Sequence, residues 1–73
     1  MATPDICAVV GQRIRELRMQ RGWTQQLLAD HADLTREHIN KLETGQVEPG
    51  LRALERIASA LDSTLCELVR RTD

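Results

Sequence analysis

The segment from Trp23 to Gly45 ends in a run of polar side chains whose spacing places them on one helical face. Residues three, four and seven positions apart lie on the same side of an α-helix, and Arg36, Glu37, Asn40, Lys41 and Thr44 are related by such steps. Arginine and lysine donate hydrogen bonds to guanine O6 and N7, and glutamate accepts one from cytosine N4. A helix that holds this face outward has the chemistry to read base edges in the major groove of DNA.

The same segment predicts two short helices joined by a tight turn. Thr24 and Thr35 have the properties of N-cap residues, and each follows an apolar residue that can pack on the first turns of its helix. Asp33 stands in the turn between them, where a residue that tolerates positive φ is favoured. The spacing therefore predicts a helix-turn-helix over residues 24–45.

Three further helices are predicted around this pair. The first begins at Thr3-Pro4-Asp5, with Thr3 as its cap and Pro4 at its first position, and ends at Gly22. A fourth helix follows the next loop, and Thr64 with Glu67 forms a capping box for a short fifth helix. The apolar residues expected to be buried along the first and fourth helices are Ile6, Val10, Ile14, Leu17, Leu51, Leu54, Ile57, Ala58 and Leu61.

Length and composition agree with a small helical domain. The 73 residues predict one domain over 1–73 with its core in 6–70, and an apolar content of 41% is sufficient for a folded core. Aromatic residues make up only 1% of the chain, and alternating β-branched runs are missing. The composition therefore predicts the all-α class.

Several functions are disfavoured by the residues present. Cys7 and Cys66 have no metal-ligand spacing and are expected to be reduced thiols, while His31 and His38 lack a third ligand at useful spacing. No nucleophile with a base and no glycine-rich phosphate loop is found, so we expect neither an enzyme nor a cofactor or metal. Without a secretory signal or a membrane-spanning run, the protein is expected to be cytoplasmic and to have no membrane partner.

The sequence resembles the Cro/lambda-repressor-type helix-turn-helix family. The matching residues are Gly11, Ile14, Arg15, Arg18, Gly22, Thr24, Gln25, Leu28, Ala29, Thr35, Ile39, Glu43, Gly45, Pro49, Leu51, Leu54, Ile57, Ala58, Ala60 and Leu61. They extend over nearly the whole chain, from about Gly11 to Leu68. The resemblance implies a compact five-helix DNA-binding fold that acts as a dimer, with the helix-turn-helix in helices 2 and 3.

Functional roles follow from the resemblance position by position. It implies that Gln25 contacts a phosphate and braces the reading helix, and that Arg18 pairs with Glu43 to link the first helix to it. The residues assigned to base edges are Arg36, Glu37, Asn40 and Lys41. The residues assigned to DNA phosphates are Gln25, Arg18, Thr35, His38, Thr44, Gln46 and Arg52.

The resulting hypothesis is a sequence-specific regulator, a dimeric repressor or controller that reads a pseudo-palindromic operator in double-stranded DNA. The dimer surface is expected at Leu65, Leu68 and Val69, in the short last helix. Related small proteins include restriction–modification controllers, phage repressors and antitoxins, and the sequence does not choose among them.

An alternative of a different class is an antitoxin or protein-interaction module with weak DNA binding. It would keep the fold and use Leu27, which stands where the family usually has an acid, to dock on a toxin or another regulator. The formal net charge of −1 favours this alternative, since nucleic-acid-binding domains are usually basic. The placement of the charges decides more than their sum, however, and Arg36 and Lys41 fall on the predicted reading helix.

Overall fold

A computed structural model describes residues 5–64, 67 and 68 of the chain. This part contains four α-helices and no strand. The helices are α1 (Ile6–Gln20), α2 (Gln25–Ala32), α3 (Arg36–Glu43) and α4 (Leu51–Ala60). The all-α class is confirmed, whereas the count of five helices is not.

Helix α1 begins one residue after Asp5, whose carboxylate accepts a hydrogen bond from the Cys7 amide at 3.0 Å. The prediction that Thr3 caps this helix is wrong, because Asp5 has both the extended backbone and the side-chain acceptor of an N-cap residue. Thr3 and Pro4 themselves lie outside the described residues. At the other end the chain turns at Gly22, whose φ is 70°, as expected for a glycine that follows a helix.

Both predicted threonine caps of the helix-turn-helix are confirmed. The Thr24 hydroxyl accepts a hydrogen bond from the amide of Leu27, and the Thr35 hydroxyl accepts one from the amide of His38, each at 3.1 Å. Between the helices, Asp33 adopts the left-handed conformation with φ 57° and ψ 45°. This residue closes α2 and lets the chain reverse into α3 within three residues.

Helix α4 begins after Gly50. Of the residues that follow it, 61–64, 67 and 68 are described. The Thr64 hydroxyl accepts from the Glu67 amide at 3.2 Å, which is one half of the predicted capping box. The Glu67 carboxylate accepts instead from the Ser63 hydroxyl at 3.0 Å, so we do not find the reciprocal half there. The rest of the predicted fifth helix lies outside the described residues.

Helix α1 packs against α3, and α2 packs against both α3 and α4 around one core. The buried apolar side chains are Val10, Ile14, Leu28, Ala29, Ala32, Ile39, Leu42, Leu54, Ile57, Ala58, Leu61 and Leu68, with Leu17, Trp23, Leu34, Val47 and Ala60 packed partly buried against them. The expected burial of Ile6 and Leu51 is wrong, since they are 42% and 78% exposed. Both are the first residues of their helices, and helical side chains lean toward the N-terminus, so these two extend past the core.

The backbone of α1 approaches the end of α3 at Gly11. A Cβ atom at this position would lie against the Leu42 carbonyl oxygen and 2.8 Å from the Glu43 carbonyl oxygen. Gly45 meets α1 in a similar way, because its own Cβ would lie 3.2 Å from the Cα of Ala8. The absence of side chains at these points allows α1 to fix the position of α3.

Candidate nucleic-acid interface

Helix α3 divides cleanly into a buried side and an exposed side. Ile39 and Leu42 are buried in the core with 0% and 2% exposure. The residues assigned to base edges, Arg36, Glu37, Asn40 and Lys41, are all exposed. All four line one depression of about 280 Å³, to which Gln25 of α2 and Gln46 of the following loop also contribute. The structure thus brings together side chains that the resemblance assigned to bases and to phosphates.

A bidentate ion pair holds α3 against α1. The Nε and Nη2 atoms of Arg18 donate to the two carboxylate oxygens of Glu43 at 2.7 and 3.0 Å, and Nη1 donates to the Trp23 carbonyl at 2.6 Å. The side chains of Arg18 and Glu43 are only 12% and 2% exposed. The ion pair implied by the resemblance is confirmed, and these contacts make Arg18 a positioning residue for α3.

Gln25 connects the ion pair to the exposed face of α3. Its Nε2 atom donates to Glu43 Oε1 and to Asn40 Oδ1, both at 3.2 Å. The bracing role implied for Gln25 therefore has a definite geometry. Its contact with Asn40 was not anticipated, although Asn40 and Glu43 are three positions apart on α3 and that spacing is a usable signal.

A second group of hydrogen bonds closes the C-terminal end of α3. The Thr44 hydroxyl donates to the Asn40 carbonyl at 2.8 Å and accepts from Gln46 Nε2 at 2.7 Å. A phosphate contact from the Thr44 hydroxyl would require its hydrogen to leave this carbonyl. Gln46 keeps a second amide hydrogen, so of the two it is the better placed phosphate donor.

The remaining residues assigned to phosphates lie at helix starts. Thr35 is exposed and His38 is half-buried beside it, and both line a depression that also contains Lys41 and Glu48. Arg52 is exposed in the first turn of α4. The Glu48 carboxylate lies on the same flank of α3 as His38 and opposes the approach of a phosphate there.

The predicted dimer surface requires a correction. Leu68 is 0% exposed and belongs to the core cluster of the single chain. It offers no surface to a partner in this arrangement. Leu65 and Val69 lie outside the described residues.

Sequence reasoning did not find a small cluster around Trp23. The Trp23 and His31 rings are stacked with their centroids 4.5 Å apart, and the Arg21 guanidinium lies 5.5 Å from the Trp23 ring centroid. Arg21 also donates to the Leu61 carbonyl at the end of α4, at 2.7 Å. These contacts assign the tryptophan and the arginine to scaffold roles, away from the face of α3.

Other kinds of site find little support in the described part of the chain. No group of three or more His, Cys, Asp or Glu side chains there could hold a metal ion. Burial raises the pKa of the Cys7 thiol, and the Asp5 and Glu48 carboxylates raise it further, so the thiol is protonated at neutral pH. The described helices also include none of the length and apolarity needed to cross a membrane.

Comparison with known proteins places this arrangement in context. Residues 14–68 match the helix-turn-helix family HTH_3. The chain is 37% identical to the restriction-modification controller protein C.AhdI from Aeromonas hydrophila, with a TM-score of 0.83, over 85% of this chain and 94% of that one. It is 38% identical over 60 residues to the immunity repressor protein of Bacillus phage phi105, covering 82% of this chain and 42% of the repressor.

A third relative is a prophage-derived, uncharacterized HTH-type transcriptional regulator of Bacillus subtilis. The identity is 32% over 62 residues, covering 85% of this chain and 57% of that protein. The chain thus spans about half the length of these two curated relatives. The match covers helices α2 to α4 and the Arg18–Glu43 pair that holds α3 against α1. The chain belongs to the Cro/lambda-repressor-type helix-turn-helix family.

Proposed function

We propose that this chain is a sequence-specific DNA-binding module of a transcriptional regulator, with α3 inserted in the major groove. The observation that carries the proposal is the outer face of α3. Four exposed polar side chains converge there on one depression, while the Arg18–Glu43 pair fixes the helix from behind. An enzyme is not proposed, since the relatives named above are regulators, a repressor and a controller protein.

In the proposed complex, the outer face of α3 reads bases and its flanks hold the backbone. Arg36 and Lys41 donate to guanine O6 and N7, and Glu37 accepts from cytosine N4. The candidate phosphate contacts are Gln25, Arg18, Thr35, His38, Thr44, Gln46 and Arg52. Of these, Gln25, Arg18 and Thr44 would first have to give up hydrogen bonds that they make within the domain. Phosphate contacts set the register of α3 and base contacts supply the sequence preference.

We further propose that the protein acts as a homodimer in the cytoplasm, as a repressor or controller. Two copies of α3 would lie about 34–36 Å apart, one helical turn of DNA, and would read a pseudo-palindromic site. A small domain also gains stability from association. Because Leu68 is buried in the core, Leu65 and Val69 remain of the predicted dimer surface, and exposed Leu51 and Ile6 are further apolar candidates.

Binding-site selection from random DNA duplexes tests the DNA-binding proposal. The wild type should enrich a common site, and Arg36→Ala should relax the preference at one base position of each half-site. Arg56→Ala is the matched control, because Arg56 is exposed on α4 in a depression that it shares with His31 and Ala32. This control should select the wild-type site. No enrichment by the wild type at low salt would contradict the proposal.

The alternative is an antitoxin or protein-interaction module with weak DNA binding. One observation favours it, since Leu27 is 37% exposed on α2 where a partner could cover it. The same selection experiment separates the two functions, because enrichment of a common site by the wild type supports the DNA-binding module. No enrichment at low salt would favour the protein-interaction module.

A further inference from the structure

Gln46 is held at the C-terminal end of α3 through both its backbone and its side chain. Its Nε2 atom lies 2.7 Å from the Thr44 hydroxyl oxygen, and it lines the depression that contains the residues assigned to bases. We propose that Gln46 donates a hydrogen bond to a DNA phosphate, and that Thr44 is a positioning residue that orients Gln46 instead of contacting DNA itself. The inference rests on the proposed function and changes the role of Thr44 within it.

The backbone around Gly45 fixes the point at which Gln46 leaves the helix. The Gln46 amide donates to the Lys41 carbonyl at 2.9 Å, and the Gly45 amide donates to the Leu42 carbonyl at 3.2 Å. Gly45 itself has φ 72°. These two bonds and the left-handed residue form a Schellman motif, which ends a helix with one defined geometry. The Cα atom of Gln46 therefore has a fixed position relative to the face of α3.

The Thr44 hydroxyl has a single hydrogen, which it donates to the backbone of α3. The hydroxyl oxygen lies 2.8 Å from the Asn40 carbonyl oxygen and 3.3 Å from the Lys41 carbonyl oxygen. Carbonyl oxygens only accept hydrogen bonds, so the hydroxyl is the donor in both contacts. The oxygens of a DNA phosphate also only accept. Thr44 could therefore donate to DNA only after giving up its hydrogen bonds to α3.

The direction of this bond decides which end of the Gln46 amide faces Thr44. Because its hydrogen is donated to a carbonyl, the Thr44 oxygen meets Gln46 only as an acceptor, and the Gln46 atom that faces it must be the nitrogen. An amide nitrogen carries two hydrogens, and Thr44 accepts one of them. The second has no acceptor among the described residues, so Gln46 can donate it to DNA without losing its contact with Thr44.

The position of Gln46 favours a phosphate over a base edge as its acceptor. In a helix-turn-helix the N-terminal residues of the reading helix contact the base edges, whereas Gln46 follows the C-terminal end of α3. Glutamine side chains are among the groups that donate to DNA phosphates. A donor that is already oriented before binding loses little side-chain freedom when it makes the contact. Orientation of Gln46 by Thr44 should therefore raise the affinity for DNA.

The phosphate contact is tested on the duplex that the wild type selects, with one phosphate at a time replaced by a neutral methylphosphonate. We expect Gln46→Ala to raise the dissociation constant by about 10-fold, the lower end for a hydrogen bond to a charged group. Replacement of one particular phosphate should weaken the wild type but have much less effect on Gln46→Ala. Equal sensitivity of the two proteins at every phosphate, or a relaxed preference at one base position in Gln46→Ala, would overturn the inference.

Substitutions at Thr44 then test the positioning role. Thr44→Val removes the hydroxyl and leaves Gln46 free to turn, which should raise the dissociation constant by about 2- to 10-fold. Thr44→Ser keeps the hydroxyl and should bind as the wild type does. In a Gln46→Ala background, Thr44→Val should change the dissociation constant by less than about twofold, because no side chain remains to be oriented. If the effects of the two substitutions simply multiply, Thr44 contacts DNA by itself and its positioning role is wrong.

Gln12→Ala is the matched control, since Gln12 is exposed on α1 and bonds to Glu16 of the same helix. It should keep the wild-type affinity and the wild-type response to each methylphosphonate. If circular dichroism shows that Thr44→Val does not fold, Thr44→Ala replaces it in the same comparison, and an effect independent of Gln46 overturns the inference. A wild type that binds selected and scrambled duplexes equally would overturn the proposed function as well, whereas multiplying effects in a selective protein would overturn this inference alone.

Discussion

Arg18 illustrates how one side chain in this domain connects three parts of the chain. From α1 it reaches the Glu43 carboxylate on α3 and the Trp23 carbonyl before α2. The pair could be predicted from the sequence because both positions match the family pattern. The Gln25–Asn40 contact was not predicted, because it depends on side-chain rotamers and amide orientation, which spacing alone does not specify.

Loss of the arginine should be costly for stability. In Arg18→Met the Glu43 carboxylate would remain buried without its partner, and removing one member of a buried pair costs about 3–5 kcal/mol. Urea unfolding monitored by circular dichroism measures the effect. Arg15→Met is the control, since Arg15 is exposed on the same helix and its loss should change stability by less than about 0.5 kcal/mol. A similar small change in Arg18→Met would show that the pair is only a surface contact.

At the scale of helices, local signals predicted the ends of α2 and α3 better than those of α1. Thr24 and Thr35 cap as expected because a hydroxyl before a helical run has a local partner, the amide three residues on. Asp5 rather than Thr3 caps α1, which agrees with the stronger N-cap preference of aspartate than of threonine. The close approach of α1 to α3 at Gly11 depends on tertiary packing, so local sequence rules do not predict it.

The turn of the helix-turn-helix offers a stabilising change. Asp33 has φ 57°, a conformation that costs an L-residue about 1–2 kcal/mol, whereas glycine adopts it freely at an unfolded-state entropy cost of about 0.4–1 kcal/mol. We expect Asp33→Gly to raise the free energy of unfolding by about 0.5–1 kcal/mol. Thermal unfolding of Asp30→Gly, within α2, should show a small loss of about 0.3–0.5 kcal/mol instead, because glycine ranks only slightly below aspartate in helix propensity. Losses of equal size at the two positions would argue against strain at Asp33.

The approach of α1 to α3 predicts opposite behaviour for two glycines. Gly11→Ala should destabilise the domain by about 1–3 kcal/mol, because its Cβ meets backbone atoms of α3 that cannot move aside alone. Alanine is otherwise favoured over glycine in a helix interior by about 1 kcal/mol. The sign of the change in the free energy of unfolding therefore distinguishes a steric clash from helix propensity. Gly50→Ala has open space around its Cβ and should cost less than about 1 kcal/mol. Higher stability of Gly11→Ala in urea unfolding would contradict the close approach.

At the scale of the whole molecule, the fold follows from the sequence more fully than the assembly does. Apolar periodicity predicted one helical core, and all the described members of that pattern but the two first-turn residues, Ile6 and Leu51, contribute to it. The same periodicity assigned Leu68 to a dimer surface. A pattern of apolar residues shows that a face needs covering, but not whether the cover comes from the same chain or another.

Leu68→Ala distinguishes these two kinds of cover. Because Leu68 is fully buried in the single chain, its truncation should lower the free energy of unfolding by about 2–5 kcal/mol. That loss should be the same at low and high protein concentration. If Leu68 were instead at a dimer interface, sedimentation would show that Leu68→Ala is a monomer. The unfolding midpoint would then depend on protein concentration in the wild type but not in the variant.

The most direct test of the central claim is the affinity of the wild type for its selected duplex and for a scrambled duplex of the same length, across a range of salt concentrations. If α3 reads bases, the selected duplex should bind at least about 10³-fold more tightly at physiological salt. The logarithm of both binding constants should fall with the logarithm of salt, at about −0.9 per phosphate neutralised. Equal affinity for the two duplexes at every salt concentration would contradict the claim that α3 is a reading helix.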